Sequence, residues 1–180
     1  METAVARGAE LNARFKGDTV ELSENLDDLD AATEARQVAQ GVAEAVQQTA
    51  SNQVAGVVTK CLEVVFDDPY EFEIIFEQKR GRTEARLVFV RDGQQVDPLG
   101  AAGGGVVDVA AFALRLACLA LSTPRCRRLV VMDEPFRFVS KQYRPRLRDM
   151  LSALSEDMGF QFIFVTHIPE LAVGHVVEVG

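Results

Sequence analysis

The sequence predicts an α/β fold in which a long helix leads through an antiparallel hairpin into a mostly parallel sheet core with flanking helices. Three observations predict it. Two apolar runs, Leu129-Val130-Val131-Met132 and Phe162-Ile163-Phe164-Val165, break off at polar residues, Asp133-Glu134 in the first and Thr166-His167 in the second. A continuous apolar run of this length reads as a strand covered on both faces, as in a parallel sheet. Tyr70, Phe72, Ile74 and Phe76 alternate with Glu71, Glu73, Ile75 and Glu77, the period-two pattern of a half-buried strand. Val106 to Leu121 is rich in Ala and Leu, lacks Pro and Gly, and follows Gly103-Gly104-Gly105, so a glycine turn opens a helix there.

Met1 to Asp18 is polar and rich in small residues, which predicts a poorly ordered start or a frayed helix end. From Leu22 to Phe66 there is no Pro. Leu22, Leu26 and Leu29, then Ala35, Val38, Val42, Ala45 and Thr49, approximate a three-four repeat whose phase slips near Thr33. That pattern suits a helix that enters a coiled coil or packs on a neighbouring helix, so residues 1–66 are a long helical base and 67–180 the core-bearing domain. Asp67-Asp68-Pro69 ends the helix. A turn over Gln78 to Arg82 leads to a second strand, Thr83 to Arg91, and Asp92-Gly93 makes another tight turn. The core strands are Leu129 to Asp133, Phe162 to Thr166 and Val176 to Val179, with a helix between the first two and a short helix starting at Ile168-Pro169-Glu170-Leu171.

α/β sheets place their chemistry at the carboxyl ends of their strands, and Asp133 and Glu134 sit at such an end. One acid can hold Mg²⁺, which prefers carboxylate oxygens together with water and phosphate; its neighbour can orient or deprotonate an attacking water. The plain alternative is a solvated acidic turn. The chain has only two histidines, and a lone His is by default a surface or core residue. His175 keeps that default reading, whereas His167 repeats the strand-end position of the acidic pair. Three glycines at a helix start let backbone N–H groups approach an anion, and the helix dipole favours it; the plain alternative is a hinge.

Gly-Gly before an apolar helix carrying Leu114-Arg115-Leu116-Ala117, then Val-Met-Asp-Glu-Pro, then Val-Thr-His, resembles the C-terminal lobe of an ABC-type ATPase head. The resemblance is to the SMC/SbcC-like coiled-coil branch of DNA-repair and chromosome-maintenance ATPases, including phage recombination ATPases, and runs from about Glu71 to Gly180. It implies a P-loop NTPase-like C-terminal half, with ATP and Mg²⁺ as cofactors. Asp133 corresponds to the Walker B acid that holds Mg²⁺, Glu134 to the catalytic base, and His167 to the switch histidine that senses the γ-phosphate. Gly103, Gly104 and Gly105 fall on the signature motif, which acts in trans across a dimer of heads. The partners implied are a second ATPase head, as homodimer or heterodimer, a phosphate-loop-containing N-terminal lobe, a nuclease subunit and DNA. Hydrolysis would open and close the heads to serve DNA repair, recombination or chromosome tethering.

Departures accompany the resemblance. With Leu114 to Ala117 aligned, Gly103 falls where the family has a serine, Val106 replaces a polar residue, and Ser140 stands at an aspartate position. Trans contacts would then rest on backbone N–H groups alone. The chain contains no Gly-x-x-x-x-Gly-Lys-Ser/Thr loop, whose backbone cradles phosphates, so half of an ATP site must come from elsewhere. Two rival readings follow: a non-catalytic partner or inhibitor that keeps Asp133-Glu134 as a relic, and a metal-dependent phosphoester hydrolase with Asp133, Glu134 and His167 as ligands.

A length of 180 residues and a 48% hydrophobic content allow one core-bearing domain plus an appendage. No uninterrupted apolar stretch of 18 residues and no signal-peptide pattern occurs, which predicts an intracellular, cytoplasmic protein away from the membrane. Cys61, Cys118 and Cys126 lack metal-ligand spacing and read as buried or free thiols in a reducing compartment. A net charge of −8 argues against a chain that wraps nucleic acid unaided. Arg125, Arg127, Arg128, Arg137, Lys141, Arg144, Arg146 and Arg148 flank the Asp-Glu strand as a local basic cluster; for Arg146 and Arg148 the expectation is a solvated helix face.

Overall fold

The computed structural model describes residues 2–80, 82–98, 100 and 102–178. The chain divides into two compact units, Met1–Gln48 and Thr49–Gly180, and a single helix, α1 (Glu2–Val65), contributes to both. Its helical structure therefore begins at Glu2, and no break occurs near Thr33.

In the first unit Leu11, Phe15, Leu22, Leu26, Leu29, Val38, Val42 and Val46 are all more than half exposed. Thr19 and Thr33 turn their hydroxyls back to the carbonyls of Phe15 and Leu29, so these β-branched residues stay in the helix with their polar atoms satisfied.

In the second unit the last turns of α1 become a core element. Val58, Cys61, Leu62 and Val65 are buried at i, i+3, i+4 and i+7, the stripe a helix presents to a core. Burial pushes the Cys61 thiol up to about 11, while Cys118 and Cys126 are exposed. Strands β1 (Glu71–Lys79) and β2 (Arg82–Arg91) form the expected hairpin, in a register running from Glu71 opposite Val90 to Lys79 opposite Arg82. The turn between them is tighter than expected, with Arg80 left-handed at φ 50° and Gly81 outside the described residues. A third strand, β3 (Gln94–Val96), pairs back onto β2. Asp92 and Gly93 at its entry have φ 52° and 74°, the backbone that a two-residue hairpin turn requires. Three residues are too short for periodicity to reveal, so only the turn was legible.

Helix α2 (Gly104–Leu121) is the centre of the core, with Val109, Ala110, Phe112, Ala113, Leu116 and Ala117 buried. It has the length and apolar composition of a membrane span, yet Asp108 and Arg115 interrupt it and its buried face packs on aromatic neighbours. The parallel pair β4 (Leu129–Asp133) and β5 (Gln161–Val165) is joined by α3 (Arg144–Met158). Gly159 ends α3 in the left-handed conformation, its N–H bonded to the carbonyls of Leu154 and Ser155, as helix C-termini favour.

The β4–β5 sheet departs from expectation in its covering. Val130, Met132, Phe162 and Phe164 pack against the core, with the Phe112 ring 5.0 Å from Phe136 and 5.8 Å from Phe162. On the other face Val131, Ile163 and Val165 are 65%, 48% and 62% exposed. A parallel sheet is stable when both faces are covered, and the described residues supply one cover. The expected strand Val176 to Val179 is a second correction: residues 176–178 form no strand, because no described strand offers them a ladder, and Val179 lies outside the described residues.

Candidate functional site

Asp133 ends β4 opposite Val165 in β5, and the next residue closes the ladder, Glu134 N–H donating to the Val165 carbonyl at 2.8 Å. There the chain turns sharply. Glu134 (φ 46°) and Phe136 (φ 63°) are both left-handed, a conformation costing about 1–3 kcal/mol for a residue other than Gly and found where the surroundings over-determine it. Those surroundings are visible: the Phe136 ring is buried between Phe112 of α2 and Phe164 of β5. The turn leaves Asp133 exposed and Glu134 half-buried.

β5 delivers His167 to the same end. Thr166 accepts the Ile168 N–H through its hydroxyl at 3.1 Å, and buried Ile168 and Leu171 fix the following 3-10 turn, Pro169–Leu171. His167 Nδ1 thereby lies 2.6 Å from Glu134 Oε2. The two atoms touch without hydrogen-bond alignment, and the buried Oε2 has no hydrogen-bond partner. The contact is a close approach of the two side chains, since distance alone does not make a hydrogen bond. Glu134 thus keeps an unused acceptor at the strand ends.

The three glycines sit where the sequence placed them. Gly103 caps α2 in an extended conformation without a side-chain hydrogen bond, and its carbonyl accepts the N–H groups of Val106 and Val107. Gly104 and Gly105 have a second reason to be glycine. A Cβ on Gly105 would lie 2.9 Å from the Phe138 carbonyl oxygen and 3.0 Å from Val139 Cα, and one on Gly104 3.1 Å from Phe138 Cβ. The loop that follows Glu134 therefore packs directly on the start of α2.

Most of the basic cluster is engaged with neighbours. Arg144 pairs with Glu170 at 3.3 Å and Arg146 with Asp67 at 2.6 Å, while Arg148 bonds Asp149. Arg128 bonds the Met158 carbonyl and lies over the Phe160 ring. Arg137 stacks on exposed Phe138 at 4.5 Å. The Glu170 carboxyl is held below the usual range, first by its own backbone N–H and, against partial desolvation, by the Arg144 guanidinium. Arg144, Glu170 and Asp108 were not singled out as site residues by the sequence; Arg144 stood out only as one charge in a run. Among the described residues no three His, Cys, Asp or Glu side chains gather into a group that could hold a metal ion.

No protein-family model matches the chain, and no curated protein matches it in sequence. Solved structures resemble it in fold. An Smc head domain with a coiled coil and joint derived from Pyrococcus yayanosii matches 84% of this chain at TM-score 0.56 and 16% identity. An SmcHead bound to the C-winged helix domain of ScpA matches 67% at TM-score 0.53 and 15% identity. A structure reported for ATP-driven dimerization and DNA stimulated activation of SMC ATPases matches 70% at TM-score 0.53 and 14% identity. This chain spans 29%, 36% and 74% of those three chains. The likeness establishes the fold: the chain shares the architecture of part of those Smc head domains.

Proposed function

We propose that this chain is the C-terminal part of an ATPase head, which hydrolyses ATP at an interface with a second head once a phosphate-loop lobe joins it. The observation that carries the reading is the contact between Glu134 and His167 at the carboxyl ends of adjacent parallel strands, on a sheet whose other face is apolar and exposed. Such a strand end is where α/β folds place nucleotide chemistry, and the bare face is where a second layer would sit.

The residues fit a magnesium nucleotide. Asp133 offers an exposed carboxylate for the hard cation. Glu134 offers a buried oxygen without a hydrogen-bond partner, suited to accept a proton from the water that attacks the γ-phosphate. His167, beside it, is placed to meet charge arriving at the strand ends. Gly103 caps the first turn of α2 without a side-chain hydrogen bond, and a helix start of that kind favours anions at its leading backbone N–H groups. Bound Mg²⁺ supplies neutralisation of phosphoryl charge, and the chain's share of the reaction is positioning and electrostatic stabilisation. DNA repair, recombination or chromosome tethering is the setting proposed, in the cytoplasm, with DNA and a nuclease subunit as further partners.

The test is ATP turnover by the chain co-assembled with a phosphate-loop lobe. Glu134→Gln lowers turnover at least about 100-fold, the usual contribution of a general base, while leaving assembly intact; unchanged turnover would refute the catalytic assignment. Gly103, which has no hydroxyl where the family carries serine, favours a second reading as a non-catalytic partner. That reading predicts association with the lobe but no turnover by the unmodified chain.

A further inference from the structure

We propose that the outer edge of β1, with the groove it forms against α1, is a docking site for an extended segment of a partner protein that carries Lys or Arg at every second residue. β1 pairs with β2 on one side, and no described strand pairs with it on the other. The Phe72 N–H donates to Thr59 Oγ1 of α1 at 2.9 Å, so the main-chain polar groups of Phe72 turn away from β2. In an antiparallel pair these directions alternate along the strand. The N–H and C=O groups of Ile74 and Phe76 therefore face the same open side, and such a row is a template for another strand.

At the start of this edge α1 and β1 enclose a groove of about 420 Å³, walled by Gly56, Thr59 and Glu63 on the helix and by Glu71, Phe72 and Glu73 on the strand. A Cβ on Gly56 would meet nothing within 4 Å, so no internal contact demands a glycine there, although Gly costs a helix interior about 1 kcal/mol relative to Ala. Its effect is to keep the groove open. Charge sets the occupant. Glu63, Glu71 and Glu73 are exposed, and no ion pair among the described residues engages them, whereas Glu77 is held by Lys79 and Arg86. Lys60 is the one cation among the lining residues. Glu71, Glu73 and Ile75 share one face of β1, and Phe72, Ile74 and Phe76 the other. A strand added beside β1 sets its side chains opposite both rows: basic residues meet Glu71 and Glu73, and apolar residues extend the half-buried row of Ile74 and Phe76. The proposal uses none of the strand-end residues and does not rest on the ATPase reading.

The probe is a fluorescent synthetic peptide in which Lys alternates with Val, titrated into the full chain by anisotropy, with amide hydrogen exchange of the complex read by NMR. We expect saturable binding, slower exchange at Ile74 and Phe76, and unchanged exchange at Glu73 and Ile75, whose N–H groups already face β2. A peptide alternating Glu with Val should bind at least about tenfold more weakly. Of two Lys-Val peptides N-methylated at the lysines or at the valines, one should bind about tenfold more weakly than the other, because only one alternating set of N–H groups faces β1. In the chain, Gly56→Gln fills the groove while raising helix propensity, and Glu71→Lys combined with Glu73→Lys reverses the charge at exposed positions. Each should weaken binding at least about tenfold with an unchanged circular dichroism spectrum, and either carries the test should the other not fold. No saturable binding would mean that the glutamates only guard the edge against pairing, and it overturns the proposal. Binding that is indifferent to the N-methylated set or to Gly56→Gln is charge attraction alone and overturns it too, as does binding that leaves Ile74 and Phe76 unprotected.

Discussion

The two faces of the β4–β5 sheet carry side chains of one chemical kind and meet opposite surroundings. Val130, Met132, Phe162 and Phe164 lie against the aromatic cluster of Phe112 and Phe136, whereas Val131, Ile163 and Val165 meet solvent. Burying an aliphatic side chain is worth about 1.5–3 kcal/mol, and three neighbouring apolar residues forgo much of that here. These strands are composed for a sheet with two covers, and the described residues provide one of them.

Substitutions on the two faces should therefore diverge. On the covered side, Phe136→Ala removes a ring wedged between α2 and β5 and should destabilise the chain by about 3–5 kcal/mol, read by denaturant unfolding; a loss below about 1 kcal/mol would mean the cluster is not the core. Gly105→Ala inserts a methyl group where the Phe138 carbonyl already sits and should cost about 1–3 kcal/mol, as overpacking does. Val131→Thr on the bare face should change the stability of the isolated chain by less than about 0.5 kcal/mol, yet weaken association with a phosphate-loop lobe; a large loss in the isolated chain would show the face is covered from within.

Two titrations sharpen the same contrast between buried and open groups. Cys61 has its thiol raised to about 11 by burial, so its neutral form is favoured by folding, and its contribution is present below the unfolded value and lost as pH rises through the folded one. At pH 8 alkylation should label Cys118 and Cys126 quickly and Cys61 only on unfolding. Glu170 has a lowered value; its contribution is present above the ordinary carboxyl range and lost as pH falls through the folded value. Glu170→Gln should flatten part of the acid limb of the stability curve, with little change at neutral pH.

The sequence carried the strand ends well, because an apolar run that stops at polar residues announces both the strand and its carboxyl end. Glu134 and His167 meet as that pattern implied. The hairpin was legible from period-two alternation, and the glycine turn from its place before an apolar helix. What escaped depended on contacts between distant segments. Asp108 bonds a backbone N–H thirty residues away and Arg144 a carboxylate twenty-six residues away, and no local pattern encodes such pairs. The apolar runs of β4 and β5 reported faithfully that two faces want covering, but a run cannot tell which cover its own chain provides. The expected strand at Val176 failed for a related reason, since a β-prone segment needs a neighbour before it becomes a strand.

Under the proposed function this chain holds the acid and histidine of an ATP site whose phosphate-binding half lies on another lobe. Titration of Mg-ATP into the chain alone, then into the chain co-assembled with a phosphate-loop lobe, tests it most directly. We expect no saturable binding by the chain alone and saturable binding by the assembly, weakened when Val131→Asp disrupts the bare face. Micromolar binding of Mg-ATP by the chain alone would contradict it.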